Sequence, residues 1–554
     1  MPTYGRTAPP SMVVTVEAAE PDICGEKERP MTGHNPWLAH SALVVGFFMV
    51  LVDMTIVAVA NPAIMRSLGA DLPNMLWVTS AYLLTYSAPQ LITGRLGDRF
   101  GPKNIYLLGL TVFTAASLWC GLAGTIGMLI AARSIQGLGA ALLMPQTMAV
   151  ITRLFPPERR GAAMGVWGGC AGLATLIGPL LGGMLVDSLG WEWIFFVNVP
   201  VGIAALALAA RLVPALPTRS RTFDIPGAVL SSLGMFALIF GIQEGSHQDW
   251  SGWIRLLIGA GVLLLVAFIM VEARGVDEPL LPLGLFRDRN FALSTVAIAA
   301  MNAATTAFLV SIYFCLQSVW EMSPTDSALA IAPMAIVTAL SAPLIGRLAD
   351  RLHPRIVPTF GFGLFALSVT WFAVLMQNPQ ASTAALLIAS AVAGVSNSCI
   401  WAPLATNATH NLPTQQAGAG AGIYNTTRQL GGVLGSAAIG ALVAARMSAH
   451  GVGDVPVVER LDTTPIQDSV RHALGSALGE STCLPIAVLV VGTATAALFT
   501  RHTGPALAGE SAKADVGLHL TEPDPRSDTQ WRGPRPVSVL LRSSRWVRGP
   551  DEHR

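Results

Sequence analysis

Long uncharged stretches, separated by short strings of charge, constrain this chain more than any other feature. Apolar runs of eighteen or more residues recur along it, each long enough as a helix to cross about 30 Å of hydrocarbon. They fall near 39–60, 75–92, 104–123, 126–151, 161–186, 193–213 and 225–243, and again near 254–271, 291–319, 327–348, 356–376, 381–408, 416–445 and 483–500. That makes fourteen spans; the longest are accommodated by tilt or by a protruding end. Only 12% of residues are charged while 52% are hydrophobic. A soluble domain carries roughly a quarter of its residues as charges. The chain therefore reads as an all-α integral membrane protein.

Several chemistries need residue spacings that are missing. The six cysteines, Cys24, Cys120, Cys170, Cys315, Cys399 and Cys483, are scattered singly, which gives neither a disulfide framework nor a zinc knuckle. Lys27, Lys103 and Lys513 are the only lysines, and none stands in a phosphate-binding loop, so no ATP-driven engine is built into the chain. No paired-histidine zinc motif or nucleophile elbow occurs. Neither a cofactor, a metal nor an enzymatic activity is expected, and a net charge of +1 argues against nucleic acid as a partner.

Arginine and lysine set the orientation, because short cationic loops stay on the cytoplasmic side. Loops after the even spans hold Arg95, Arg99 and Lys103; Arg153, Arg159 and Arg160; Arg211, Arg219 and Arg221; Arg274, Arg287 and Arg289; and Arg347, Arg351 and Arg355. Those after odd spans hold Arg66 and Arg255, apart from a long loop at 447–482 with Arg460 and Arg471. Both termini are thus expected in the cytoplasm. The first span follows a long polar tail and has no small-residue cleavage site, so it reads as an anchor and not as a signal peptide.

One loop motif is written twice. Gly94-Arg-Leu-Gly-Asp-Arg-Phe-Gly-Pro-Lys103 follows the second span and Gly346-Arg-Leu-Ala-Asp-Arg-Leu352 follows the tenth. If each marks the second helix of a repeat, spans 1–6 and 9–14 are equivalent halves with two spans inserted between them. The expected organisation is a disordered cytoplasmic tail at 1–37, a six-helix bundle at 38–213, two inserted spans and a linker at 214–290, a second six-helix bundle at 291–500, and a disordered cytoplasmic tail at 501–554.

With these strings stand Leu51-Val-Asp-Met-Thr-Ile-Val-Ala-Val-Ala-Asn-Pro62, Arg133-Ser-Ile-Gln-Gly-Leu-Gly-Ala-Ala141, Gly178-Pro-Leu-Leu-Gly-Gly183 and Trp191-Glu-Trp-Ile-Phe-Phe-Val-Asn-Val-Pro-Val-Gly202. In this order the chain resembles the major facilitator superfamily, specifically its fourteen-span drug:proton antiporters. The resemblance implies the major facilitator fold, two six-helix bundles plus two extra central spans, in a bacterial inner membrane. It also implies alternating access, with protons exchanged for a small hydrophobic or amphiphilic substrate.

Asp53 lies mid-span, where a charge costs roughly 2.5–3.5 kcal/mol on insertion scales. The resemblance makes it the proton carrier, against a permanently paired structural carboxylate. Arg133 cannot lose its proton; the resemblance places it and Gln136 near the proton path, and the alternative is a cation that only neutralises Asp53. Gly94, Arg95, Asp98 and Arg99, with Arg347 and Asp350, are expected to form a cytoplasmic gate, or else a positive-inside anchor. Gly178, Pro179, Gly182 and Gly183 read as a hinge and packing element. In the family this string marks exporters, although Ala174 stands where glycine is preferred.

A substrate cavity is expected between the halves near the midplane, with Gln136, Trp167, Tyr313, Gln317, Asn397, Trp401, Tyr424 and Arg428 as candidate walls. No Asp or Glu lies inside spans 9–14, which suits neutral, anionic or at most singly cationic amphiphiles. Arg428 either attracts an anion or pairs with carbonyls near the membrane edge. The competing functions are uptake of a nutrient or siderophore, and a non-transporting sensor or scaffold with its output in the C-terminal tail.

Overall fold

A computed structural model describes residues 35–70, 72–216, 224–245, 248, 250–274, 279–378, 382–451 and 468–501. Both expected tails fall outside the described residues except at their inner edges. The first bundle comprises α1 (Pro36–Leu68), α2 (Leu72–Ser87), α3 (Gln90–Phe100), α4 (Pro102–Gly121), α5 (Ile126–Leu154), α6 (Pro157–Leu189), α7 (Trp193–Phe196) and α8 (Asn198–Leu212). A hairpin of α9 (Ile225–Gly245) and α10 (Gly252–Ala273) follows. The second bundle holds α11 (Arg289–Ser318), α12 (Pro324–Ala349), α13 (Ile356–Met376), α14 (Thr383–Thr409), α15 (Ala417–Ala449), α16 (Asp468–Ser481) and α17 (Cys483–Ala497).

Thirteen spans among the described residues are long and apolar enough to cross a membrane. The remaining crossing is α2 with α3, broken at Ala88-Pro89, where proline supplies no backbone N–H. Pro200 has the same effect in the sixth span: it cannot donate to the Phe196 carbonyl, and the helix breaks at Val197 between α7 and α8. Pro179, by contrast, lies inside an unbroken α6.

Several boundaries differ from the sequence expectation: α1 runs to Leu68, and α3 runs to Phe100, so Gly94–Arg99 of the repeated motif is helical and not loop. The last span was expected to begin at residue 483, after a long loop, but its helical course begins at Asp468. Segment 468–481 is too polar on average to stand out as a span. It is nevertheless anchored on one face, with Leu474, Ala477 and Leu478 buried and Gly475 and Gly479 set against the backbone of α13. Packing along a stripe, which a running average of hydropathy dilutes, decides this start.

The bundles meet through two equivalent pairs, α6 on α12 and α15 on α3. Small residues allow both. Along α6, Gly161, Gly165, Gly169 and Gly172 recur at helical spacing and face Gly346, Ala342, Ala339 and Thr338 of α12. On the other pair, Gly94 and Gly418 lie so close that a Cβ on either would strike the other's carbonyl oxygen. Backbones in such contact gain dispersion without a hydrophobic driving force, which lipid does not supply between helices. Outward faces expose Leu256, Leu263, Leu340 and Leu344, apolar surface suited to acyl chains.

Candidate functional site

Asp53 sits midway along α1 and is fully buried inside the first bundle. Arg133 Nη1 of α5 donates to its Oδ2 at 2.6 Å, making an ion pair with no exposed atom of consequence. Gln136 Nε2, one helical turn beyond Arg133, donates to Asp53 Oδ1 at 2.8 Å and to Ser117 Oγ at 2.8 Å. Asn198 Nδ2 of α8 donates to the same Oδ1 at 2.8 Å. The guanidinium carbon stands 4.1 Å from the centroid of the Tyr82 ring. Helices α5 and α8 thus bond one carboxylate of α1, with α4 and α2 backing Gln136 and Arg133, so its charge is compensated and its oxygens are occupied, the condition under which a buried ion pair is tolerated.

A cavity of about 280 Å³ lies between the bundles, lined from α1, α5 and α6 on one side and α11, α12, α14 and α15 on the other. That volume stands near the low end of small-molecule sites, roughly 300–1,000 Å³. Phe47 and Trp167 stack at 4.7 Å on one wall, while Tyr313, Trp401 and Arg428 form others. Trp401 Nε1 donates to Asn397 Oδ1 at 3.0 Å. Phe47 and Leu51 face the cavity, and Asp53, two residues on, points to the opposite side of α1. The ion pair and the cavity therefore occupy two faces of one helix. A second link runs through α2: Arg428 Nη2 donates to Tyr86 Oη at 3.1 Å, Tyr86 stacks with Tyr82 at 6.0 Å, and Tyr82 underlies Arg133.

At one end the bundles are locked. Asp98 accepts from the Gly418 and Ala419 amides of α15 at 2.8 and 2.9 Å and from Arg153 at 2.6 Å, with Arg95 at 3.9 Å. Its counterpart Asp350 accepts from the Gly161 and Ala162 amides of α6 at 2.8 and 3.3 Å. Asp98 thus meets the first turn of α15, where the helix dipole and free amides favour an anion, whereas Asp350 meets amides one turn inside α6. Burial pushes the Asp350 carboxyl up to about 6, against the two amide bonds that hold it down. Arg160 completes the lock. Its Nη1 donates to the Thr409 and His410 carbonyls at the end of α14, while Nε and Nη2 bond Phe155 and Thr152 in its own bundle.

The structure brings Asp53, Arg133 and Gln136 together, and Asp98, Arg95 and Asp350 at the lock with Gly94. Arg99 instead lies over the Phe100 ring and Arg347 is exposed. Of the hinge string, Gly178 packs on Thr55 and Gly182 on Ile56 of α1, but nothing lies within 4 Å of a Cβ built on Gly183. Trp167, Tyr313, Asn397, Trp401 and Arg428 line the cavity, and Gln136, Gln317 and Tyr424 do not. Asn198, Arg160 and the α6 glycines Gly161, Gly169 and Gly172 carry geometry that the sequence reading assigned no role. Asn198 was visible as a lone amide in an apolar string, whereas nothing separated Arg160 from its neighbouring loop arginines.

Two helical bundles of repeated plan, meeting around a central cavity and locked at one end, define a multi-pass membrane transporter. Residues 43–436 match the Major Facilitator Superfamily model, and the chain belongs to that superfamily. It is 45% identical over 526 residues to an uncharacterized MFS-type transporter of Mycobacterium tuberculosis, covering 92% of this chain and 91% of that protein. It is 35% identical over 430 residues to the tetracenomycin C resistance and export protein of Streptomyces glaucescens, covering 76% and 77%. With the multidrug export protein EmrB of Escherichia coli it shares 30% over 428 residues, covering 77% and 83%. The solved structure of the human organic anion transporter MFSD10 matches with a TM-score of 0.56 at 15% identity, covering 82% of this chain and all of that one, which is a likeness of fold alone. The relatives are transporters, and so is this protein.

Proposed function

We propose that the protein exports a hydrophobic drug, antibiotic or related natural product across the bacterial inner membrane in exchange for protons, by alternating access. The observation that carries this reading is the placement of Asp53–Arg133 and the cavity on opposite faces of α1. A proton arriving at Asp53 discharges the carboxylate and releases Arg133, and the altered packing of α1 is felt at the cavity wall through Phe47 and Leu51. Drug and proton then compete for one conformational equilibrium. The names of the curated relatives support export over uptake. The arginine-rich loops support a cytoplasmic side for the termini and the lock; on that reading the structure is the state closed to the cytoplasm, and Gly178 and Gly182 set the packing of α6 on α1 that the cycle must repack.

The test is reconstitution in liposomes under an imposed pH gradient, with internal pH followed as a panel of amphiphiles is added. Wild type is expected to move protons when a substrate is present, and Asp53→Asn to bind that substrate without moving protons. Equal exchange by the variant would show Asp53 to be structural and overturn the coupling assignment.

A further inference from the structure

We propose that the cavity selects an aromatic substrate bearing an anionic group, a carboxylate or phenolate, and that Arg428 is the residue that holds it. This names the substrate class of the export site and rests on that reading. Its origin is an imbalance of charge. Among the described residues lining the cavity, Arg428 is the only cation, and no Asp or Glu accompanies it. The other enclosed arginines are compensated: Arg133 by Asp53, Arg95 and Arg153 by Asp98, and Arg160 by backbone carbonyls. Arg428 donates to a neutral phenol, Tyr86, and its Nε is enclosed without a partner.

A guanidinium stays charged at any accessible pH. Held in an apolar site without an anion it is costly, and an ionisable group inside the membrane marks a functional path. Two more polar atoms of the cavity wall are also unpaired, Trp167 Nε1 and Thr305 Oγ1. Indole and guanidinium nitrogens can only donate, so the wall is short of acceptors. A carboxylate supplies several acceptor sites and matches the planar fork of arginine. Aromatic faces of Phe47, Trp167 and Tyr313 offer stacking area for the rest of the molecule. The guanidinium is also firmly based. Asn302 Nδ2 bonds the Arg428 carbonyl at 2.8 Å, and Gly431 and Gly435 seat the next turn of α15 directly on the α11 backbone.

Three probes with one ring system separate charge from shape: 9-anthracenecarboxylate, 9-anthracenemethanol and 9-anthracenemethylammonium. Binding to the purified full-length protein is read by fluorescence titration at neutral pH, and proton exchange with each is read in liposomes. The carboxylate is expected to bind at least tenfold tighter than the alcohol, and the ammonium weakest. Arg428→Gln is expected to erase the preference while leaving alcohol affinity within about twofold, and Arg428→Lys to retain part of it. No carboxylate binding, a carboxylate no tighter than the alcohol, or an ammonium that binds tightest overturns the assignment. Equal loss of all probes in Arg428→Gln, with Arg428→Lys no better, assigns the residue to packing and also overturns it. If an alcohol drives proton exchange but the carboxylate shows no preference, export stands and the anion anchor falls. If no probe moves protons but the carboxylate preference and its loss in Arg428→Gln are seen, the anchor stands and the exchange reading falls.

Discussion

Replacing Asp98 by asparagine should open the latched end of the transporter. The carboxylate accepts two amide hydrogen bonds from the other bundle, at 2.8 and 2.9 Å, and hydrogen bonds to a charged group contribute about 1.5–3 kcal/mol each. Asparagine keeps one acceptor oxygen, uncharged, and turns an NH2 toward the second amide. Arg153 and Arg95 are partners within the same bundle, so their loss affects closed and open states alike to first order. The closed state therefore loses about 2 kcal/mol relative to the open one, a shift of roughly 30-fold in the equilibrium. Asp350→Asn should not open this end, because burial of the Asp350 charge outweighs its two amide contacts, one of them stretched to 3.3 Å. Spin labels at Asn104 and Ile356, both exposed where α4 and α13 begin, report the separation of the bundles at this end in lipid nanodiscs. The longer-distance population should grow in Asp98→Asn and not in Asp350→Asn. Superimposable distributions for wild type and Asp98→Asn would refute the latch, as would opening confined to the opposite end.

Two further predictions use the same labels. Gly165→Val should open the latched end and depress transport, because a Cβ there stands 2.6 Å from the Ala342 carbonyl and 3.0 Å from Pro343 Cα, neither of which is a yielding side-chain end. Gly183→Val, where a Cβ meets nothing within 4 Å, should leave both unchanged; the reverse ranking would sink the packing argument. The latch should also respond to pH. Asp350 is raised to about 6 by burial, with Glu158 adding to the rise, while an open latch returns it to water and to the ordinary carboxylate range. Its contribution to closure is full below that ordinary range and is lost as pH rises through about 6. Moving from pH 5 to 7 should lengthen the label distances, and Asp350→Asn should flatten that response; an unchanged slope in the variant would remove Asp350 from the switch.

Much of this was legible in the sequence because the bilayer imposes one-dimensional rules. A crossing needs a minimum apolar length, cations mark one side, and a charge such as Asp53 inside a span must have a partner or a purpose. Those rules located the spans, the repeated latch motif, and Asp53 and Arg133 as the two charges demanding explanation. They raised the pairing of the two as one reading but could not fix it. Eighty residues separate the two in the chain, and only the folding of α1 against α5 sets a 2.6 Å contact, with Asn198 delivered by the break that Pro200 forces in the sixth span. Cavity walls were harder still, since an aromatic or amide on an apolar helix looks the same whether it faces lipid, a neighbour or a ligand. Trp401 and Arg428 reach the cavity, while Tyr424, one turn from Arg428 on the same helix, is wholly enclosed in packing. Hydropathy records how apolar a segment is; the angular position of each side chain about its helix depends on which helix packs beside it. Span lengths and buried charges are therefore properties of the chain, whereas which charges meet and which side chains share a cavity are properties of the packed bundles.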